Sequence, residues 1–209
     1  MKRVVSVFVE GGREGRTEDS NFRRGWSTFL SELRSVAQAN GYHTLGIVRG
    51  RGRQQTFDRF KNHKRRFPDN LCILLVDSET LAPPNIPVWE IVRNRTGDGW
   101  KRPSWATERH LYLMAHFVET WLLTDQDALR QFFKRDFDAT GLPTTNLETR
   151  SKRDVEDALQ RATKKCQRGQ YQHGDAHEII EVVRPERVKS LHHGKRLFEK
   201  MDELIRNVP

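Results

Sequence analysis

A chain of 209 residues, 35% hydrophobic and 31% charged, with 11 Phe and 5 Trp, can bury a sizeable core as one domain, or as one domain with a helical appendage. No apolar run approaches the ~18 residues of a membrane span, and two cysteines far apart in sequence exclude a disulfide framework. The formal net charge of +9 and the sequence pI of about 9.9 favour a polyanionic partner, nucleic acid first.

The first strand is predicted from Arg3 to Val9, ending in Glu10-Gly11-Gly12. Its apolar run is short of the roughly 7–15 residues of a signal-peptide core and an acid follows it directly, so a cytoplasmic protein is expected. A loop rich in Gly and charge, Gly11 to Ser20, leads to a helix from about Phe22 to Ala39. On that helix Phe22, Trp26, Phe29, Leu30, Leu33, Val36 and Ala37 share one face. Asp19 or Ser20 is the expected N-cap and Asn40-Gly41 the stop. Strand two runs from about His43 to Val48. The turn Gly50-Arg51-Gly52-Arg53 follows, then a short basic helix from about Gln54 to Lys64. Strand three is the run LCILLV, Leu71 to Val76, too short for a globular helix and apolar enough to be buried on both faces. The alternation β-α-β-α-β implies a parallel sheet with right-handed crossovers.

The segment 80–106, with Pro83, Pro84, Pro87, Pro103 and three Trp, is too long for an ordinary connection and reads as a functional loop or insertion. Its Trp89, Trp100 and Trp105 either stack on bases or pin the segment to the core. His110 to His116 is a fourth strand or the start of a helix; Val118 to Leu123 and Gln126 to Phe133 read as helical. After a break at Asp136 to Thr149 the chain looks wholly helical, beginning at Ser151 as an N-cap. The division expected is an α/β domain over 1–135 and a helical C-terminal extension over 136–209.

Strands one and three both end in acid. If they are parallel neighbours, Glu10, Asp77 and Glu79 converge at the carboxyl ends of the strands, where open α/β sheets bind ligands. In extended backbone residues two apart face the same way, so Asp77 and Glu79 can face one ion while Ser78 faces aside. Three carboxylates in one small volume need an offsetting cation, and hard oxygen ligands suit Mg²⁺ or Mn²⁺. Eight basic residues lie between Arg49 and Arg66, and a second cluster spans Arg150 to Arg168, which suits a phosphodiester substrate. Arg51 and Arg53 are the expected substrate-binding cations. Lys152 is the expected stabiliser of a departing oxygen, or a general acid, working with the catalytic acids Glu10 and Asp77. Solvated surface charge is the alternative for Arg53 and Lys152. Asp125 starts a helix and reads as a cap. His173, His177, His192 and His193 lack zinc spacing and read as surface histidines.

The ordered set Val9-Glu10-Gly11, Arg24-Gly25-Trp26, Gly52-Arg53, Leu74 to Glu79, Asp98-Gly99-Trp100, His110-Leu111, Glu119 to Asp125, Leu142-Pro143, Lys152, Ala162-Thr163, Gly169 and Tyr171 resembles a bacterial Toprim-like group known as domain-of-unknown-function family 4276. Toprim domains occur in topoisomerases, primases and OLD-type nucleases. The resemblance covers nearly the whole chain. It implies a Toprim-like α/β fold, one or two Mg²⁺ (or Mn²⁺) ions and phosphoryl-transfer chemistry, with a link to anti-phage defence and a possible partner ATPase. It also makes Glu119, a lone acid in an apolar run, a further metal ligand; the alternative for Glu119 is a salt bridge to a core arginine such as Arg24. Two positions depart from the pattern. Asp-x-Glu stands where Asp-x-Asp is usual, and Arg51-Gly52-Arg53 replaces a Gly-Gly-Arg turn. The function expected is a metal-dependent nuclease or related enzyme acting on DNA or RNA. The rival is a non-catalytic module that docks on an ATPase or on nucleic acid.

Overall fold

A computed structural model describes residues 2–11 and 16–207. Four strands, β1 (Val5–Glu10), β2 (Leu45–Gly50), β3 (Leu71–Asp77) and β4 (Leu111–Met114), form one sheet in the order β2-β1-β3-β4. Every pair is parallel, with Val5 opposite Leu45 and Leu71, and Asp77 opposite Met114. The stretch that sequence left between strand and helix is thus a strand, β4.

Strand alternation sorts the core into two layers. Val5, Val7, Val9, Ile73, Leu75 and Tyr112 face one layer; Phe8, Cys72, Leu74, Val76 and Leu113 face the other. The first layer is covered by α1 (Arg16–Phe29) and α2 (Ser31–Ala39), through Trp26, Phe29 and Leu33. The second is covered by α3 (Arg53–Arg66), through Phe57 and Phe60, and by α4 (Val88–Asn94). Both faces are buried, which is why the β3 run carries no charged residue before its last, Asp77.

The helix expected from Phe22 to Ala39 is two helices that meet at Leu30, and the first begins at Arg16, before the expected cap. Asp19 is therefore inside α1, where it pairs with Arg49. Part of the expected Gly11 to Ser20 loop, residues 12–15, lies outside the described residues. Asn40 caps α2 and Gly41 follows at φ +82°, as the Asn-Gly signal implies.

Segment 80–106 is anchored by its aromatics. Trp100 stacks on Phe57, ring centroids 4.4 Å apart, and donates to Gln54 Oε1 at 2.8 Å; Trp89 donates to the Thr107 carbonyl at 2.9 Å. These two rings pin the segment rather than face solvent. After β4 come α5 (Glu119–Leu122), α6 (Gln126–Phe133), α7 (Lys152–Thr163), α8 (Ala176–Ile179), α9 (Pro185–Val188) and α10 (His192–Arg206). Ser151 caps α7 by accepting from Asp154 N at 3.1 Å, and Asp125 caps α6 by accepting from Ala128 N at 3.2 Å. Val155, Leu159, Tyr171, Ile179, Leu197 and Met201 from these helices enter the first core layer. No helix among the described residues is long and apolar enough to cross a membrane.

Candidate functional site

The crossovers leave the sheet in opposite directions from its middle. From β1 the chain moves over the first face to β2; from β3 it moves over the second face to β4. The carboxyl ends of β1 and β3 therefore flank the switch point of the sheet, the place where such folds open a crevice. Glu10 ends β1 and Asp77 ends β3.

Arg53, the first residue of α3, ties these ends together. Its Nη1 donates to Glu10 Oε2 at 3.0 Å and also to the Asp77 carbonyl. Its other edge is bidentate on Asp98, with Nε–Oδ1 at 2.8 Å and Nη2–Oδ2 at 2.7 Å. The Asp98 side chain is 2% exposed and also accepts from Arg95 Nη1 at 2.8 Å; Arg95 in turn pairs with Glu79. The order Glu10, Arg53, Asp98, Arg95, Glu79 is an alternating chain of charge along the sheet edge. Arg53 also lies 4.8 Å over the Trp100 ring.

Glu79 does not face the same point as Asp77. The rule that brought them together holds only for extended backbone. β3 ends at Asp77, and Glu79 sits at φ +51°, which turns its carboxylate to Arg95.

Burial raises Glu10 above the usual carboxylate range, against the charge and hydrogen bond of Arg53 and a hydrogen bond from the Asp77 backbone. Asp77 is held well above its ordinary value, first by burial and then by the charges of Glu10 and Glu119; Lys152 and Arg53 act the other way. Asp77 Oδ1 accepts from Val118 N at 3.0 Å. Two acids and two cations thus act on Asp77: Glu10, Glu119, Arg53 and Lys152.

Glu119 is 0% exposed on α5. Its partner is not Arg24, which is exposed and pairs with Glu181. Oε1 accepts from the Tyr171 hydroxyl at 2.6 Å and lies 2.7 Å from His173 Nδ1. Burial pushes Glu119 up, but these contacts outweigh it and hold the carboxyl below its ordinary value. Oε2 is buried with no hydrogen-bond partner among the described residues. Lys152 Nζ lies 3.9 Å from Glu156 Oε1 and 5.6 Å over the Phe117 ring.

Two of the four histidines are not at the surface: His177 is 6% exposed and His193 is 3% exposed. His173, with 56% of its side chain exposed beside Glu119, and His192 are surface residues as expected. His177 Nδ1 accepts from Trp26 Nε1 at 3.2 Å, and His193 Nε2 lies 2.8 Å from the Ala82 carbonyl. The basic run from Arg49 to Arg66 is not one patch near the acids either. Arg49 is buried against Asp19, and Lys64 donates to the carbonyls of Pro68 and Asn70. α3 runs back from the acidic edge, so Arg65 lies roughly 18 Å along it from Arg53. Arg51 stays exposed at the turn after β2, and its charge acts on Asp19.

Residues 13–202 match a family described as a domain of unknown function, DUF4276. The chain belongs to this family. No curated protein and no solved structure matches it. The DUF4276 match covers Asp77, Glu119 and Lys152 but starts after Glu10. Sequence reasoning gave no site role to three residues that lie beside these acids, Asp98, Glu156 and His173. Asp98 carried a signal, since it sits between two glycines, two residues before Trp100. Glu156 and His173 carried none beyond the need of buried Glu119 for partners.

Proposed function

We propose that this DUF4276 protein is a divalent-metal-dependent phosphoryl-transfer enzyme of Toprim-like type, a nuclease acting on DNA or RNA. The observation that carries the reading is the position of Glu10 and Asp77 at the switch point, with Asp77 repelled by both Glu10 and Glu119. An acid whose ionisation is opposed by burial and by two acidic neighbours is one whose charged form a cation would favour. The donors are carboxylate oxygens, one of them the unpartnered Glu119 Oε2, and oxygen donors are the chemistry that a hard dication takes. Glu10, Asp77 and Glu119 would hold it. When bound, such an ion polarises a phosphoryl oxygen and lowers the pKa of its water. The chain supplies the rest. Arg53 fixes Glu10 and the end of β3, Lys152 brings positive charge toward the carboxyl of Asp77 and the oxygen that departs, and Arg51 meets the phosphate backbone.

One observation favours a second reading. Arg53 already neutralises Glu10, as it would in a binding module whose acidic cluster is structural. Incubation of the pure chain with labelled DNA and RNA, with Mg²⁺, with Mn²⁺ and with chelator, separates the two. Cleavage that needs metal and is lost in Asp77→Asn supports the enzyme. Binding without cleavage under every condition supports the module.

A further inference from the structure

We infer that Glu119, Glu156 and His173 form a mixed nitrogen–oxygen metal site whose occupant is a first-row transition dication such as Mn²⁺ or Zn²⁺ rather than Mg²⁺. The inference rests on the metal reading of Glu119 and adds to it two ligands from the helical tail. His173 Nδ1 lies 2.7 Å from Glu119 Oε1 and 3.7 Å from Glu156 Oε1, and one ligand atom from each residue falls within 4.8 Å of the other two. Donors about 2.1 Å from a common ion, at tetrahedral or octahedral angles, stand about 3.0–3.4 Å apart. Small shifts of His173 and Glu156 reach that spacing, because both side chains keep solvent access, 56% and 31%.

The second observation is independent of the cluster's own hydrogen bonds. Glu119 is 0% exposed, and its Oε2 has no donor among the described residues. A buried carboxylate oxygen without a partner is a cost that a bound cation removes. Tyr171, from the same tail, donates to Oε1 and holds the carboxylate in place, as groups behind a metal ligand do. The imidazole decides the class of ion. Mg²⁺ prefers an all-oxygen shell and gives up its waters reluctantly, whereas imidazole suits Zn²⁺ and its first-row neighbours. Three protein donors leave further coordination positions of such an ion to water or a phosphate oxygen, and Lys152 Nζ lies 3.9 Å from Glu156 Oε1.

The test uses the full chain stripped with chelator and titrated with Mn²⁺ alone, read by electron spin resonance of free Mn²⁺ and by spin-echo modulation from bonded nitrogen. The wild type is expected to bind Mn²⁺ with nitrogen modulation. His173→Gln is expected to lose that modulation and at least tenfold in Mn²⁺ affinity, and Glu156→Gln to lose affinity and keep the modulation. Neither change should move the melting shift given by Mg²⁺. Both side chains are partly exposed, and circular dichroism checks that the variants fold. Asp77→Asn separates the two readings. If it abolishes ion binding while His173→Gln changes nothing, the sheet-edge reading survives and this one falls. If His173→Gln abolishes Mn²⁺ binding while Asp77→Asn leaves all ion responses intact, this site stands without the sheet-edge one. A wild type that binds no Mn²⁺, or binds it without nitrogen modulation, overturns the inference.

Discussion

The imidazole of His177 occupies the space that a side chain at Gly11 would need: a Cβ built on Gly11 would lie 2.4 Å from His177 Nε2. Gly11 follows the acid that ends β1 and sits at φ +114°, and the helix that carries His177 is far along the chain, in the tail. The same helix presses its backbone on α1, where a Cβ on Gly25 would lie 2.4 Å from the His177 carbonyl. The tail is therefore keyed to the exit of β1 by two absent side chains. Gly11→Ala should cost about 1 kcal/mol for the left-handed backbone and a further ~1–3 kcal/mol for overpacking. Urea unfolding checks this; a loss below about 0.5 kcal/mol would show that His177 moves aside freely.

His177 should also make stability depend on pH. Burial among Phe22, Trp26 and α1 is the main cause that pushes its pKa down to about 4. The unfolded value is about 6.5, so between these limits the unfolded chain binds the proton and the folded chain does not. The contribution is fully present above about pH 6.5 and is lost as pH falls toward 4, a swing of about 3 kcal/mol. His177→Gln keeps an acceptor for Trp26 and lacks the titration. The stability gap between wild type and variant should shrink from pH 7.5 to pH 4.5. A constant gap across that range would refute the assignment.

The sheet was legible because burial on both faces writes itself into sequence, as in LCILLV, and parallel strands need helical crossovers. Asp77 and Glu10 were legible because a strand end is also a composition change. The break at Leu30 was hidden, since both halves of the helix place their apolar residues on the same side and no Pro or Gly marks the joint. Glu79 was misread because a positive φ at a non-glycine residue has no local signature. His177 and His193 were misread because a histidine near polar residues looks exposed whether or not the tail folds back on the sheet. The requirement was visible from the other side, in the unpaired Glu119 and the small residues at 11 and 25.

Asp98 should matter more to stability than its place in a loop suggests. Within the Glu10–Arg53–Asp98–Arg95–Glu79 order it is the acid that faces two arginines, and it is almost fully buried. Removing one partner of a buried pair leaves uncompensated charge, a loss of about 3–5 kcal/mol. Asp98→Ala should show that loss in urea, and Asp98→Asn a smaller one, because an amide oxygen still accepts from Arg53. Equal behaviour of the two variants would mean that packing, not charge, holds the turn.

Asp77→Asn should do the opposite in chelator. The folded-state pKa of Asp77 is raised, so its contribution favours the folded chain only at low pH and is lost as pH rises through that value. Above that, burial and the charges of Glu10 and Glu119 all oppose ionisation of the carboxyl, so the folded state carries the cost. Asparagine removes the charge and keeps the Oδ1 acceptor for Val118 N. The melting temperature without metal should rise by about 2–4 °C for each kcal/mol relieved, and the increase produced by Mg²⁺ or Mn²⁺ should shrink. A variant that melts lower than wild type in chelator would show that Asp77 is stabilising as an anion.

The charge at the acidic edge predicts where a polyanion docks. Arg51 is exposed beside the switch point, while Arg65 is at the far end of α3. Arg53 is a poor probe, because reversing it would break the Glu10 and Asp98 pairs and disturb folding. Arg51→Glu should weaken binding of all duplex sequences alike, since phosphate contacts carry no base information. The slope of log affinity against log salt should become shallower by about one for each phosphate that is no longer neutralised. Arg65→Glu should change both quantities less if the nucleic acid runs across the acids. Equal effects from the two reversals would place the nucleic acid along the whole of α3, and no effect from either would remove nucleic acid as the partner of this edge.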